Sequence, residues 1–100
     1  MIYRQMPALH DRAFRKTFYA RWGRESAVIS ARTRLAEYPE FRQLLSIKAA
    51  FGGFEDYFFD GRRVSVDGDT YLILNHGRTY SSRIGTVRRV HSFSIFLIIT

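Results

Sequence analysis

Three turn dipeptides, Gly52-Gly53, Asp60-Gly61 and Asp67-Gly68, fall within residues 51–75, and no other feature limits the fold as much. Each pair tolerates the positive φ that a two-residue hairpin demands, and the runs between them are rich in Phe, Tyr, Val and Ile. The expected element is a β-meander of short strands. A meander has no activity by itself, so the question is what it holds or carries.

Strands are predicted near Ala27–Tyr38, Leu44–Phe51, Phe54–Phe59, Arg62–Val66, Thr70–Leu74, Thr79–Ile84 and Arg88–Ile99. Breaks are expected at Pro39, at the three dipeptides, at Asn75-His76-Gly77 and at Gly85. In LLSIKAAF, Leu45, Ile47, Ala49 and Phe51 alternate with Ser46, Lys48 and Ala50, the pattern of a half-buried strand with one face turned inward. Strands this short and this numerous point to a barrel or sandwich. Ahead of them, Pro7 suits a first helical turn, Gly23 a stop, and Phe14, Phe18 and Trp22 recur at helical spacing. A helix over about Ala8–Trp22 is therefore predicted, its aromatic stripe packed on the neighbouring sheet in preference to a membrane surface.

A chain of 100 residues suits one small domain, and 46% hydrophobic and 16% aromatic content is the composition of a sequence that folds. No linker, repeat or low-complexity tract divides it. The absence of cysteine excludes disulfides, thiolate metal sites and cysteine nucleophiles, and fits a reducing, cytoplasmic setting. No secretory signal is visible, and the apolar run FSIFLIIT is far shorter than the about 20 residues of a spanning helix, so no membrane partner is expected. The net charge of +7 is uneven: residues 1–50 carry ten Lys and Arg against four Asp and Glu, residues 51–100 six against five. That excess reads first as a solvated face, and otherwise as an attraction to nucleic acid or an anionic surface.

Enzyme chemistry finds little support, and no catalytic residue, metal ligand or cofactor is assigned. The histidines are His10, His76 and His91, with Arg78 where a His-x-His pair would place its second ligand. His76 reads as a turn residue, and His91 as a sheet histidine. Ser81 and Ser82 lack the G-x-S-x-G setting, and Asp69 with His76 forms no recognisable triad. Glu55 and Asp56 point to opposite faces of a strand, Asp60 belongs to its turn, and all three read as solvated carboxylates. Lys48, Tyr57, Tyr71 and Tyr80 have the chemistry to contact a polar ligand, but each equally suits a strand residue with its polar tip in water. None is assigned to a site.

The segments Leu45-Ser46-Ile47-Lys48, Gly53–Tyr57, Asp60-Gly61-Arg62-Arg63, Tyr71–Asn75, Gly77–Ser82 and Ser92–Phe96, in that order and spacing, carry a family likeness. The stretch resembles the N-terminal cupin-like sensor domain of AraC-type transcription regulators, and RESAVISARTRLAEYPEF, which precedes it, shares the likeness more loosely. The resemblance implies a mainly β fold, a cupin-like β-barrel or meander with an N-terminal helix. It divides the chain into a basic helical segment at 1–24 and a cupin-like β domain at 25–100. It also implies a small-molecule effector, homodimerisation, and control of a C-terminal helix-turn-helix domain that is absent from this chain. DNA contact is expected only through that missing part, so the chain is expected to be incomplete. Two other functions remain open: a stand-alone cupin-like protein that binds or isomerises a metabolite, and a nucleic-acid or anionic-surface binder using the basic half.

Overall fold

A computed structural model describes residues 1–42 and 44–98, and the side chains of these outside 39–42. The described residues are mainly β with one helix. In order, the elements are β1 (Ile2–Tyr3), α1 (Arg12–Arg21), β2 (Ala27–Arg42), β3 (Leu45–Phe51), β4 (Glu55–Phe59), β5 (Arg62–Val66), β6 (Tyr71–Leu74) and β7 (Thr79–Leu97). Strand β7 organises the rest. It pairs antiparallel with β2 along its length, with β3 through residues 91–97, and with β4 through Ser81–Arg83. Strand β1 adds in parallel to β2, β6 adds to β3, and β5 to β4. The sheet runs β1-β2-β7-β3-β6 and is not closed into a barrel.

The meander expected from the three dipeptides is corrected, because only one of them closes a hairpin. Asp60 and Gly61 both take positive φ, 52° and 68°, and join the paired strands β4 and β5, as a type I′ turn requires. Gly52, at φ 78°, turns the chain from β3 to β4, which pair with other strands. Its neighbour Gly53 sits so close to β7 that a Cβ there would lie 2.7 Å from Val90 Cγ2. At Asp67-Gly68 the side chain directs the turn: Asp67 Oδ1 accepts from the Asp69 N–H at 2.9 Å and from the Thr70 hydroxyl at 3.1 Å. This Asx arrangement satisfies the backbone without a positive φ, and it sends β6 to β3 instead of back along β5.

Two expected breaks lie inside strands. Pro39 falls within β2, at a register shift where Tyr38 pairs with Ser82 and Phe41 with Tyr80; a bulge leaves its missing N–H without a ladder partner to lose. Gly85 pairs with Leu35, and β7 runs through it as one strand. The surplus chain appears just beyond, where Thr86–Arg89 stand opposite Arg34 alone between the pairs Leu35–Gly85 and Thr33–Val90. The run Phe93–Phe96 is paired on both sides, by β2 and β3, and Leu97 by β3, while Ile99 lies outside the described residues.

The helix begins later than predicted. Asp11 is its N-cap, accepting from the N–H groups of Ala13 and Phe14, so Pro7 stays outside it. A carboxylate cap satisfies donors that a proline in the first turn would leave free. The aromatic stripe packs as expected: Phe18 stacks on Phe14 and Trp22, and Trp22 meets Phe96 of β7 edge-on at 4.6 Å. Burying Phe18 is worth about 2 kcal/mol. The core has two parts, one around Tyr57, Val66, Leu74, Ile84 and Val90, the other around Ala27, Ile29 and Phe96 under Trp22 and Met6. Among the described residues no helix is long and apolar enough to cross a membrane.

Candidate functional site

Strand β3 turns an unexpected face inward. Ser46, Lys48 and Ala50 are buried, whereas Leu45, Ile47, Ala49 and Phe51 look outward. Pairing explains the inversion. On the outer face Ile47 lies between Ile73 and Ile95, and Ala49 between Tyr71 and Phe93, so cross-strand apolar contacts cover that side without a second layer. On the inner face Lys48 is opposite Ser94 and Ala50 opposite Ser92, and these small partners leave room beside the lysine.

That room is a cavity of about 60 Å³ between the two parts of the core. Its walls are Tyr57 and Tyr80 on one side and Ile29, Trp22 and Phe96 on the other, with Met6, Pro7 and Leu9 at its N-terminal flank. The Tyr38 hydroxyl donates to the Pro7 carbonyl at 2.8 Å, which ties that flank to β2. Lys48 is 4% exposed and Glu55 3%, and both line the cavity. The reading of Glu55 as a solvated carboxylate is thereby corrected: its register on β4 puts it inside, while Asp56 lies on the outer side against Ser65. Lys48, Tyr57 and Tyr80 converge here, whereas Tyr71, 70% exposed on β6, does not.

The lysine is held by rings instead of by a counter-ion. Its Nζ lies 3.8 Å from the centroid of Phe96, 5.2 Å from Tyr80 and 5.7 Å from Tyr57. Among the described residues none of the ion pairs includes it. Burial pulls its pKa from the ordinary 10.5 down to about 7, against the attraction of Glu55. Burial likewise raises Glu55, opposed by a 2.7 Å hydrogen bond from the Ser92 hydroxyl and by the charge of Lys48. The phenols of Tyr38, Tyr57 and Tyr80 are pushed up, first by burial and further by the negative charge of Glu55. They remain hydrogen-bond donors across the neutral range. Among the described residues Tyr80 OH, in the cavity wall, and Ser46 Oγ beside it are buried without a hydrogen bond of good geometry, and polar atoms of this kind call for an explanation.

With that geometry, known structures give the fold. The chain is similar to a crystal structure of a cupin superfamily protein from Desulfitobacterium hafniense, with a TM-score of 0.63 and 12% identity over 75% of this chain and 69% of that one. The fold is cupin-like. A second similar structure is the Cupin_2 domain of an XRE family transcriptional regulator from Enterobacter cloacae, with a TM-score of 0.53 and 17% identity over 75% of this chain and 79% of that one. No family model matches the sequence, and no curated protein matches it.

A cupin-like fold raises the question of a metal, and the donor set does not fit one. Among the described residues no three His, Cys, Asp or Glu side chains gather. In the cavity Glu55 stands without a histidine and beside an ammonium group, whose charge opposes a cation. His76 lies in the turn closed by the Arg78 N–H on the Asn75 carbonyl, and His91 Nε2 meets the Ser30 hydroxyl at 2.7 Å. Sequence reasoning missed the inner polar stripe although a signal was present: Ser46 and Lys48 on β3 and Ser92 and Ser94 on β7 recur at period two on neighbouring strands.

Proposed function

We propose that this cupin-like chain is the sensor domain of an AraC-type transcription regulator, taking up a small molecule and passing its presence to a DNA-reading domain outside these residues. The observation that carries the reading is the cavity. It combines aromatic walls with a buried lysine, a buried carboxyl group and an unpartnered phenol, the mixture of apolar lining and few polar groups that fixes a ligand's orientation. A purely structural core would gain stability by replacing Lys48 with an apolar residue. The ordered segments from Leu45 to Phe96 support the AraC-type assignment, and the likeness to a cupin domain described as part of a transcriptional regulator supports a regulatory setting.

The test is intact mass followed by DNA binding. The protein made by its native host is expected to be heavier than 11.7 kDa and to retard its own promoter fragment in a gel. A heavier product with no promoter affinity, or a product of this mass that binds a metabolite by itself, would remove the regulator reading.

A further inference from the structure

The reading as a sensor leaves the ligand's chemistry open, and the inference below rests on that reading. We propose that the cavity binds a short-chain monocarboxylate of two to four carbons, its carboxylate on Lys48 Nζ and Tyr80 OH and its alkyl end against Phe96, Trp22 and Ile29. Lys48 and Tyr80 reach the cavity from different strands, β3 and β7; among the described residues Lys48 is in no ion pair, and Tyr80 OH makes no hydrogen bond of good geometry although the Ser46 hydroxyl is beside it. An ammonium and a phenol are both donors, and a carboxylate offers two acceptor oxygens with the charge that the ammonium lacks.

Size and charge narrow the class further. A cavity of about 60 Å³ has room for only a few non-hydrogen atoms. Glu55 faces the same space, so a dianion such as phosphate would meet a second negative group. A monoanion meets less repulsion from Glu55 than a dianion does, and Lys48 balances its charge. A primary amine would meet the positive charge of Lys48, and the carboxyl group beside it, Glu55, already accepts from Ser92. The net charge of +7 also draws small anions toward the protein.

The pH dependence follows from the groups around the ammonium. Those facing it are Glu55 and Tyr57 from β4, Tyr80 from β7 and Tyr38 from β2, whereas α1 and the N-terminal flank present Phe18, Trp22, Met6, Pro7 and Leu9 to the cavity. The phenols keep their protons, so above neutral pH the loss of charge is that of Lys48. Binding should therefore weaken as pH rises, approaching tenfold per unit once Lys48 is neutral even in the complex, and should take up a proton at pH 8.

The experiment is calorimetric titration of the full chain, in buffers free of carboxylates, with acetate, propionate, butyrate, propionamide and propylamine at pH 6.5 and 8.5. Trp22 fluorescence serves as a second signal from the cavity wall. Expected are binding of at least one carboxylate, at least tenfold weaker binding of the amide, none of the amine, and loss of carboxylate binding in Lys48→Met, whose folding is checked by urea unfolding. Equal affinity for propionate and propionamide, or unchanged binding in a folded Lys48→Met, would overturn the proposal. A panel of neutral metabolites separates the two levels: a neutral ligand that binds where carboxylates fail overturns the carboxylate and leaves sensing intact, while silence from every compound counts against both.

Discussion

Replacing Lys48 by methionine should stabilise the protein at neutral pH, and the gain should shrink as pH rises. Methionine keeps most of the length and the apolar character of the lysine stem and removes an ammonium that, among the described residues, is buried without an ion pair. The fall of its pKa from 10.5 to about 7, at about 1.4 kcal/mol per pH unit, corresponds to about 5 kcal/mol of unfavourable burial. The ring of Phe96, 3.8 Å from Nζ, returns about 2 kcal/mol through its π face. A net gain of about 3 kcal/mol at pH 7 remains, within the range seen when buried charges give way to apolar side chains. The folded-state pKa is the lower one, so between pH 7 and 10.5 the unfolded chain holds a proton that the folded chain has released. Wild-type stability therefore rises with pH across that window, and the advantage of the variant falls by up to about 1.4 kcal/mol per unit. Urea unfolding followed by Trp22 fluorescence at pH 7, 8 and 9 measures both proteins, and the difference cancels other titrations. At pH 7 the midpoint should move up by about 1–2 M. A variant less stable than wild type at pH 7, or a difference that stays flat to pH 9, would refute the account of Lys48 as an unpaired buried charge.

Glu55→Gln should have a pH signature in the acid range: burial raises the Glu55 pKa, so the wild type loses stability relative to the variant as pH rises from 4.5, and a constant difference from pH 4 to 7 would contradict this. Ser92→Ala removes the donor to Glu55 Oε1 and should cost about 1–3 kcal/mol in urea at pH 7; a neutral result would mean that Glu55 does not depend on that hydroxyl. Gly53→Ala drives a methyl group to 2.7 Å from Val90 Cγ2 and should cost about 1–3 kcal/mol, with a loss under about 0.5 kcal/mol counting against the tight approach. Ile73→Lys on β6, 54% exposed at the sheet edge, should cost about 0.2–1 kcal/mol through the weakened contact with Ile47 while slowing aggregation measured by light scattering.

Local chemistry was legible where it acts through a few neighbouring residues. The Asp60-Gly61 hairpin, the bounds of Arg62–Val66, the aromatic stripe of α1 and the strand character of Leu45–Phe51 could all be read in advance. Pairing partners could not, since Gly52-Gly53 and Asp67-Gly68 look like hairpin turns until long-range pairing sends β4 to β7 and β6 to β3. The two-residue β1 carries no periodicity and becomes a strand only beside Val28 and Ile29. The candidate site was hidden by a sound rule applied to the wrong face. An apolar set at Leu45, Ile47 and Phe51 ordinarily marks the inside, but here strand neighbours cover it and the serine-and-lysine set lines a cavity. Glu55 was misread for the same reason, because its burial depends on Ser92, far along the chain.

The central position of β7 has a consequence for how the molecule comes into being. During synthesis β1 can meet β2, β3 can meet β6, and β4 can meet β5, but these ribbons have no common partner until residues 79–97 have been made. Ala27 must then find Phe96, a closure across most of the described chain, and such distant pairings make folding slow. The nascent chain therefore leaves the ribosome with the long β2 unpaired along its β7-facing edge, exposed to whatever binds strand edges, chaperones included. The step that commits the chain to its native state is the docking of β7 between ribbons already formed, so substitutions along Val90–Phe96 should slow folding more than changes at the fast-forming Asp60-Gly61 hairpin.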